Sequence, residues 1–162
     1  MALTTDNIKY ANSAALTITL NSLATSSTVG RQATVVDNSS NLYDDALITV
    51  IISTSASAMG NTKSVYVFVS GSEDGTNYDQ DDGVMGASDA AYTVGTPTNL
   101  KLAKVIACPT SSKVYNGVFS LAAMFGGVMP RKWTIVVVND TNQSLLGSGN
   151  SASYSGITYT NQ

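Results

Sequence analysis

Ala46-Leu47-Ile48-Thr49-Val50-Ile51-Ile52-Ser53-Thr54 (ALITVIIST) is the stretch whose reading decides the fold. It is almost continuously apolar and rich in β-branched residues, which fit a pleated surface better than a helix. An unbroken apolar run of this kind predicts a central strand covered on both faces. The next such stretch, Lys63 to Gly71 (KSVYVFVSG), alternates instead. Val65, Val67 and Val69 share one face, while Tyr66 and Phe68 take the other, so that second face also needs a cover. Lys132 to Asn139 (KWTIVVVN) is the other strongly buried candidate. Trp133 stands there in period two with Ile135 and Val137, which places it in a core rather than on a sugar platform.

Working outward, Leu16, Ile18 and Leu20 alternate with Thr17 and Thr19, which predicts a half-buried strand over Ala15 to Leu20. Further strands are predicted over Val29 to Asp37, Ala90 to Val94, Leu100 to Cys108 (ended by Pro109), Val118 to Met124 and Gly156 to Thr160. Turn clusters separate them, such as Asp37-Asn38-Ser39-Ser40-Asn41 and Asn139-Asp140-Thr141-Asn142. Phe119 to Gly127 (FSLAAMFGG) has a second reading, as a helical turn or two stopped by Gly126-Gly127. No helical periodicity or internal repeat appears elsewhere, so βαβ folds, propellers and solenoids are disfavoured. The expected fold is all-β: a two-sheet sandwich of jelly-roll type with eight or nine strands. Residues 1–13 show no periodicity and read as an N-terminal arm, leaving 14–162 as a single β-sandwich domain.

The chain has 162 residues, enough to bury a core without metal or disulfide staples. Charged residues make up 12%, about half the usual share, and Ser, Thr and Asn fill the gap. Such a surface is wet but nearly uncharged, so packing beside other subunits meets little repulsion. The net charge of −3 and the scattered basic residues argue against nucleic acid as a partner. No apolar run approaches the roughly 18 residues of a membrane helix, and the N-terminus lacks a secretory pattern, so a soluble product made in the cytoplasm is expected. Cys108 is the single cysteine, at an apolar strand end, and reads as a buried small hydrophobe.

Histidine is absent, which removes the commonest general base and metal ligand. The acidic stretch Ser72 to Gly83 (SEDGTNYDQDDG) raises calcium, with Asp79, Asp81 and Asp82 as weak candidate ligands. The EF-hand template fails there. Counting from Asp79 puts Val84 and Ala90 at the sixth and twelfth positions; counting from Asp74 puts Asp79 and Met85 there. A solvated hairpin excursion turning at Asp74-Gly75 is the simpler reading, and its clustered acids would repel. Glu73 is the only Glu, with nothing apolar beside it to raise a pKa for glycosidase chemistry. Gly147-Ser148-Gly149 lies in a polar loop rather than on a nucleophile elbow. No catalytic residue, metal or cofactor is therefore expected.

Four segments carry a resemblance: KSVYVFVSGSEDGTNYD (63–79), GASDAAYTV (86–94), NLKLAKVIACPT (99–110) and VFSLAAMFGGVMPRKWTIVVVND (118–140). With the YSGITYTNQ tail and the opening MALTTDNIKY, they resemble structural proteins of tailed-bacteriophage virions, particularly jelly-roll head decoration (cement) proteins. The resemblance covers roughly Ala46 to Gln162. It implies a dimeric or trimeric protein without cofactor that binds the outside of an assembled head at subunit junctions, its partner being the major capsid protein. Other virion parts of similar build are the alternative (a head fibre base, a tail tube or baseplate component, or a receptor- or glycan-binding β-module). Within the arm, Ile8 and Tyr10 are the candidate partner-binding anchors.

Overall fold

The computed structural model describes residues 6–60, 62–81 and 85–161. Its strands in chain order are β1 (Asp6–Tyr10), β2 (Ala14–Leu16), β3 (Val29–Gln32), β4 (Val36–Asp37), β5 (Asp45–Ser53), β6 (Ser64–Ser72), β7 (Ala90–Thr93), β8 (Lys101–Ala107), β9 (Val114–Ser120), β10 (Lys132–Asp140) and β11 (Ser151–Asn161). They form two antiparallel sheets packed face to face. The first has the order β1-β11-β5-β9, with β2 also paired to β11; the second has the order β7-β3-β10-β6-β8, with β4 also paired to β10. The all-β, two-sheet sandwich expected from the strand patterns is the observed architecture.

Ile48, Val50 and Ile52 of β5 enter the space between the sheets and meet Val65, Val67 and Val69 of β6 and Trp133, Ile135 and Val137 of β10. Trp133 is fully buried, and its ring meets that of Tyr154 edge to face, centroids 5.3 Å apart. The opposite faces of β6 and β10 carry a second core. There Val136, Val138, Tyr66 and Phe68 lie beneath Tyr78, Met85, Tyr92, Val94 and Leu100. Burying side chains of this size is worth about 1.5–3 kcal/mol each, so this cover is part of the fold rather than an appendage. Gln32, itself buried, pins it: its amide donates to the Gly86 and Ser88 carbonyls and accepts from the Gly86 N–H. The face of Tyr66 and Phe68 is thus covered, by a stretch that reads as a polar excursion.

Several boundaries differ from the sequence expectation for identifiable reasons. The strand expected over Val29 to Asp37 divides into β3 and β4, because Ala33 bonds to Ile135, Thr34 to Thr17 and Val35 to Ala87, three different segments. Of the first expected strand only Ala15 and Leu16 are extended in a sheet, as part of β2 (Ala14–Leu16). The apolar run at 118–124 ends strand β9 at Ser120, and Ala122–Phe125 forms a 3₁₀ turn closed by Gly126 at φ 70°. The helical-turn reading therefore holds for its second half. The last strand is longer than expected, and Asp6–Tyr10 of the expected arm pairs along it, with Ile8 opposite Tyr159. Finally, β5 is central but covered on one face only: Leu47, Thr49 and Ile51 remain partly exposed.

Candidate interaction surfaces

In the acidic stretch, most carboxylates are engaged by the protein's own donors. Asp74 caps its own turn, accepting the Thr76 and Asn77 N–H groups at 2.8 and 2.7 Å. These bonds, the Asn77 N–H first, hold its carboxyl well below the ordinary range. Asp79 pairs with Lys101 at 3.0 Å, and that ammonium also lies 5.3 Å from the centre of the Phe125 ring. Asp81 accepts from the Gly95 N–H, the Thr98 hydroxyl and the Asn99 N–H at 2.8, 2.8 and 2.7 Å, which ties the stretch to the loop leading into β8. Burial alone would raise its pKa, but those three donors together lower it. Asp89 is held low chiefly by its bond to Arg31, with the Thr19 hydroxyl assisting.

Of the calcium candidates, Asp79 and Asp81 therefore serve separate structural contacts, and Asp82 lies outside the described residues. Among the described residues no group of three potential His, Cys, Asp or Glu metal ligands is found. The expected mutual repulsion is relieved in the structure, because Asp79 and Asp89 are each paired with a cation. Composition alone carried no sign of this, since the donors come from Thr19, Arg31, Gly95, Thr98, Asn99 and Lys101, distant in sequence.

Ile8 and Tyr10 stand on the outward face of β1, 56% and 61% exposed, beside an equally exposed Tyr159 on β11. Tyr159 borders a cleft with Tyr43, Asp44, Gly127, Val128 and Met129. Val128 and Met129 also line an open groove of about 760 Å³. That groove has an apolar lining of Leu42, Phe125, Val128, Met129 and Pro130, with Glu73, Asp79 and Arg131 among its polar residues. Leu42 and Val128 are each 71% exposed. Gly71 lets Phe125 sit against the sheet, since a Cβ there would lie 2.7 Å from its ring. The two anchors named from sequence thus belong to a longer apolar strip along one end of the sandwich. Leu42, Val128 and Met129 were missed because they sit among turn residues, where periodicity has no signal. The usable sign was Val128-Met129, two apolar residues between a glycine pair and a proline.

The sheet edges differ in how they are guarded. On β8, Lys104 pairs with Val67 and so shares the inward side, and the ladder shifts register between Val67 and Phe68. An inward charge and a bulge both discourage strand addition. Comparison with protein-family models, with curated proteins and with solved structures finds no match to this chain.

Proposed function

We propose that this chain is a structural protein of a tailed-phage virion, a head decoration protein that binds the outer surface of the shell at subunit junctions and stabilises it. The observation that carries this reading is the apolar strip from Ile8, Tyr10 and Tyr159 to Val128 and Leu42, exposed on a weakly charged molecule. Patches of that kind suit docking against protein, and central aromatics are where binding energy concentrates. Strand order supports a jelly-roll body. With the short β4 and the edge strand β7 set aside and β1 counted with β2 as one interrupted strand, followed by β3, β5, β6, β8, β9, β10 and β11, the sheets read 1-8-3-6 and 2-7-4-5. That is the order of two interleaved Greek keys. On this reading the partner is the major capsid protein, and the chain carries out no catalysis and needs no cofactor.

The test adds purified protein to shells assembled from the major coat protein of the same virus and counts bound copies per coat subunit. A decoration protein saturates at a fixed ratio. Tyr10→Asp and Val128→Asp, both at exposed positions, weaken binding at least about tenfold while leaving the thermal midpoint in place. Absence of binding, or equal occupancy by both variants, overturns the proposal. Incorporation at only a few to a few dozen copies per particle points instead to a tail or fibre component.

A further inference from the structure

We infer that the outer face of the first sheet is the contact between two copies of this chain, packed sheet against sheet about a two-fold axis. The inference does not depend on the shell-binding reading. The three strands β5, β9 and β11 together contain one charged residue, Asp45. That carboxylate is buried and occupied, accepting from the Ala46 and Ala122 N–H groups and the Ser120 hydroxyl. Facing out beside it are Leu47, Thr49 and Ile51 on β5, Val114, Asn116 and Val118 on β9, and Ser151, Ser153 and Ser155 on β11. Val114 and Val118 are 63% and 49% exposed.

The contrast with the second sheet is the reason to expect an occupant. Its outer face carries Tyr66, Phe68, Val136 and Val138, and the chain covers them with Tyr78, Met85, Tyr92, Val94 and Leu100. The outer face of the first sheet carries the run whose sequence predicts cover on both sides, and the chain supplies cover on one side only. At 4.8 Å between strands and 3.4 Å per residue, the strands of this sheet span about 500 Å² per copy. Two copies then bury roughly 1,000 Å², the lower bound for a specific pair.

A second copy fits because the face is complementary to itself. The order β1-β11-β5-β9 means that a two-fold axis along the strands lays β11 over β5 of the other copy, and β5 over its β11. The serine row Ser151, Ser153, Ser155 then opposes the row Leu47, Thr49, Ile51, twice over. Thr49 and Ser153, directly paired in the monomer, face each other across the junction. No like charges meet among these three strands.

Sedimentation equilibrium of the full chain tests this. The wild type is expected to be a dimer. Thr49→Lys and Ser153→Glu, made separately, each raise the dimer dissociation constant at least about tenfold, because an unpaired charge enters the junction. Circular dichroism and the thermal midpoint report that each variant is folded. Mixing the two variants restores association to within about threefold of wild type, since the new charges meet across the axis. A wild type that stays monomeric up to about 1 mM, variants that dimerise unchanged, or a mixture that fails to recover overturns the inference; the first outcome leaves shell binding untouched, so the two readings fail separately.

Discussion

Asp81→Asn separates a structural from an ion-binding role for the acidic stretch. In the native protein one oxygen of Asp81 takes the Gly95 N–H and the Thr98 hydroxyl, and the other takes the Asn99 N–H. Asparagine keeps the shape but replaces one acceptor with an NH₂ group, so at least one backbone donor faces another donor. Hydrogen bonds to a charged group are worth about 1.5–3 kcal/mol when buried. Asp81 is only partly buried and water reaches the Asn99 end, so the expected net loss is about 2 kcal/mol rather than the sum over three bonds. For a chain of this length that lowers the melting temperature by about 4–8 °C. Asp79→Asn is the internal control, because its bridge to Lys101 is about 40% exposed on both sides and worth under about 1 kcal/mol. Differential scanning calorimetry, run with and without 1 mM calcium, reads both variants. A larger cost for Asp79→Asn than for Asp81→Asn, or a calcium-induced rise in the wild-type midpoint that disappears in Asp81→Asn, refutes the structural role of Asp81.

Three further outcomes follow from other contacts. Asp37, Asp74, Asp81 and Asp89 all have folded pKa values below the ordinary 3.8, so their contribution to stability is present above that value and is lost as pH falls through the depressed values; urea midpoints measured from pH 6 down to pH 2 should fall steeply only below about pH 4, and a flat profile would count against these contacts. Cys108 is fully buried and burial pushes its thiol up to about 11, so a thiol reagent at pH 8 should label it only as fast as the protein unfolds, and rapid native labelling would contradict its placement. Lys104→Val removes the inward charge from the β8 edge and should leave secondary structure intact while light scattering reports faster aggregation; unchanged colloidal behaviour would mean the bulge alone guards that edge.

The strands that carry the two cores were legible because their period-two pattern survives in the fold. Val65, Val67 and Val69 point one way and Tyr66 and Phe68 the other, as alternation requires. Trp133 was legible for the same reason. What pattern reading loses is any segment whose partners lie far along the chain. Ser72 to Ser88 looks like solvated loop by composition, yet Tyr78 and Met85 make it part of a cover held by Gln32 and Asp81. Asp6–Tyr10 has almost no apolar pattern and is a strand because β11 offers it an open edge. The apolar strip was half legible: Ile8 and Tyr10 stood out, whereas Val128 needed three dimensions to become a neighbour of Tyr159, and Leu42 of Val128. For β5, reading and structure agree on centrality and part company on its outer face.

One consequence of the strand order concerns how the protein reaches its native state. β11 follows every other described strand in the chain, yet it lies inside the first sheet, between β5 and the β1–β2 pair. Until it arrives, β1 and β2 have nowhere to bind and β5 offers the nascent chain an unprotected flank. β10 plays the same part for β3 and β6 in the other sheet. Assembly must therefore wait for Ser151–Asn161 to leave the ribosome, and folding should be slow, on the order of milliseconds to seconds, as for other β-proteins built from distant pairings. Truncating the gene before Ser151 should yield not a smaller folded protein but aggregate.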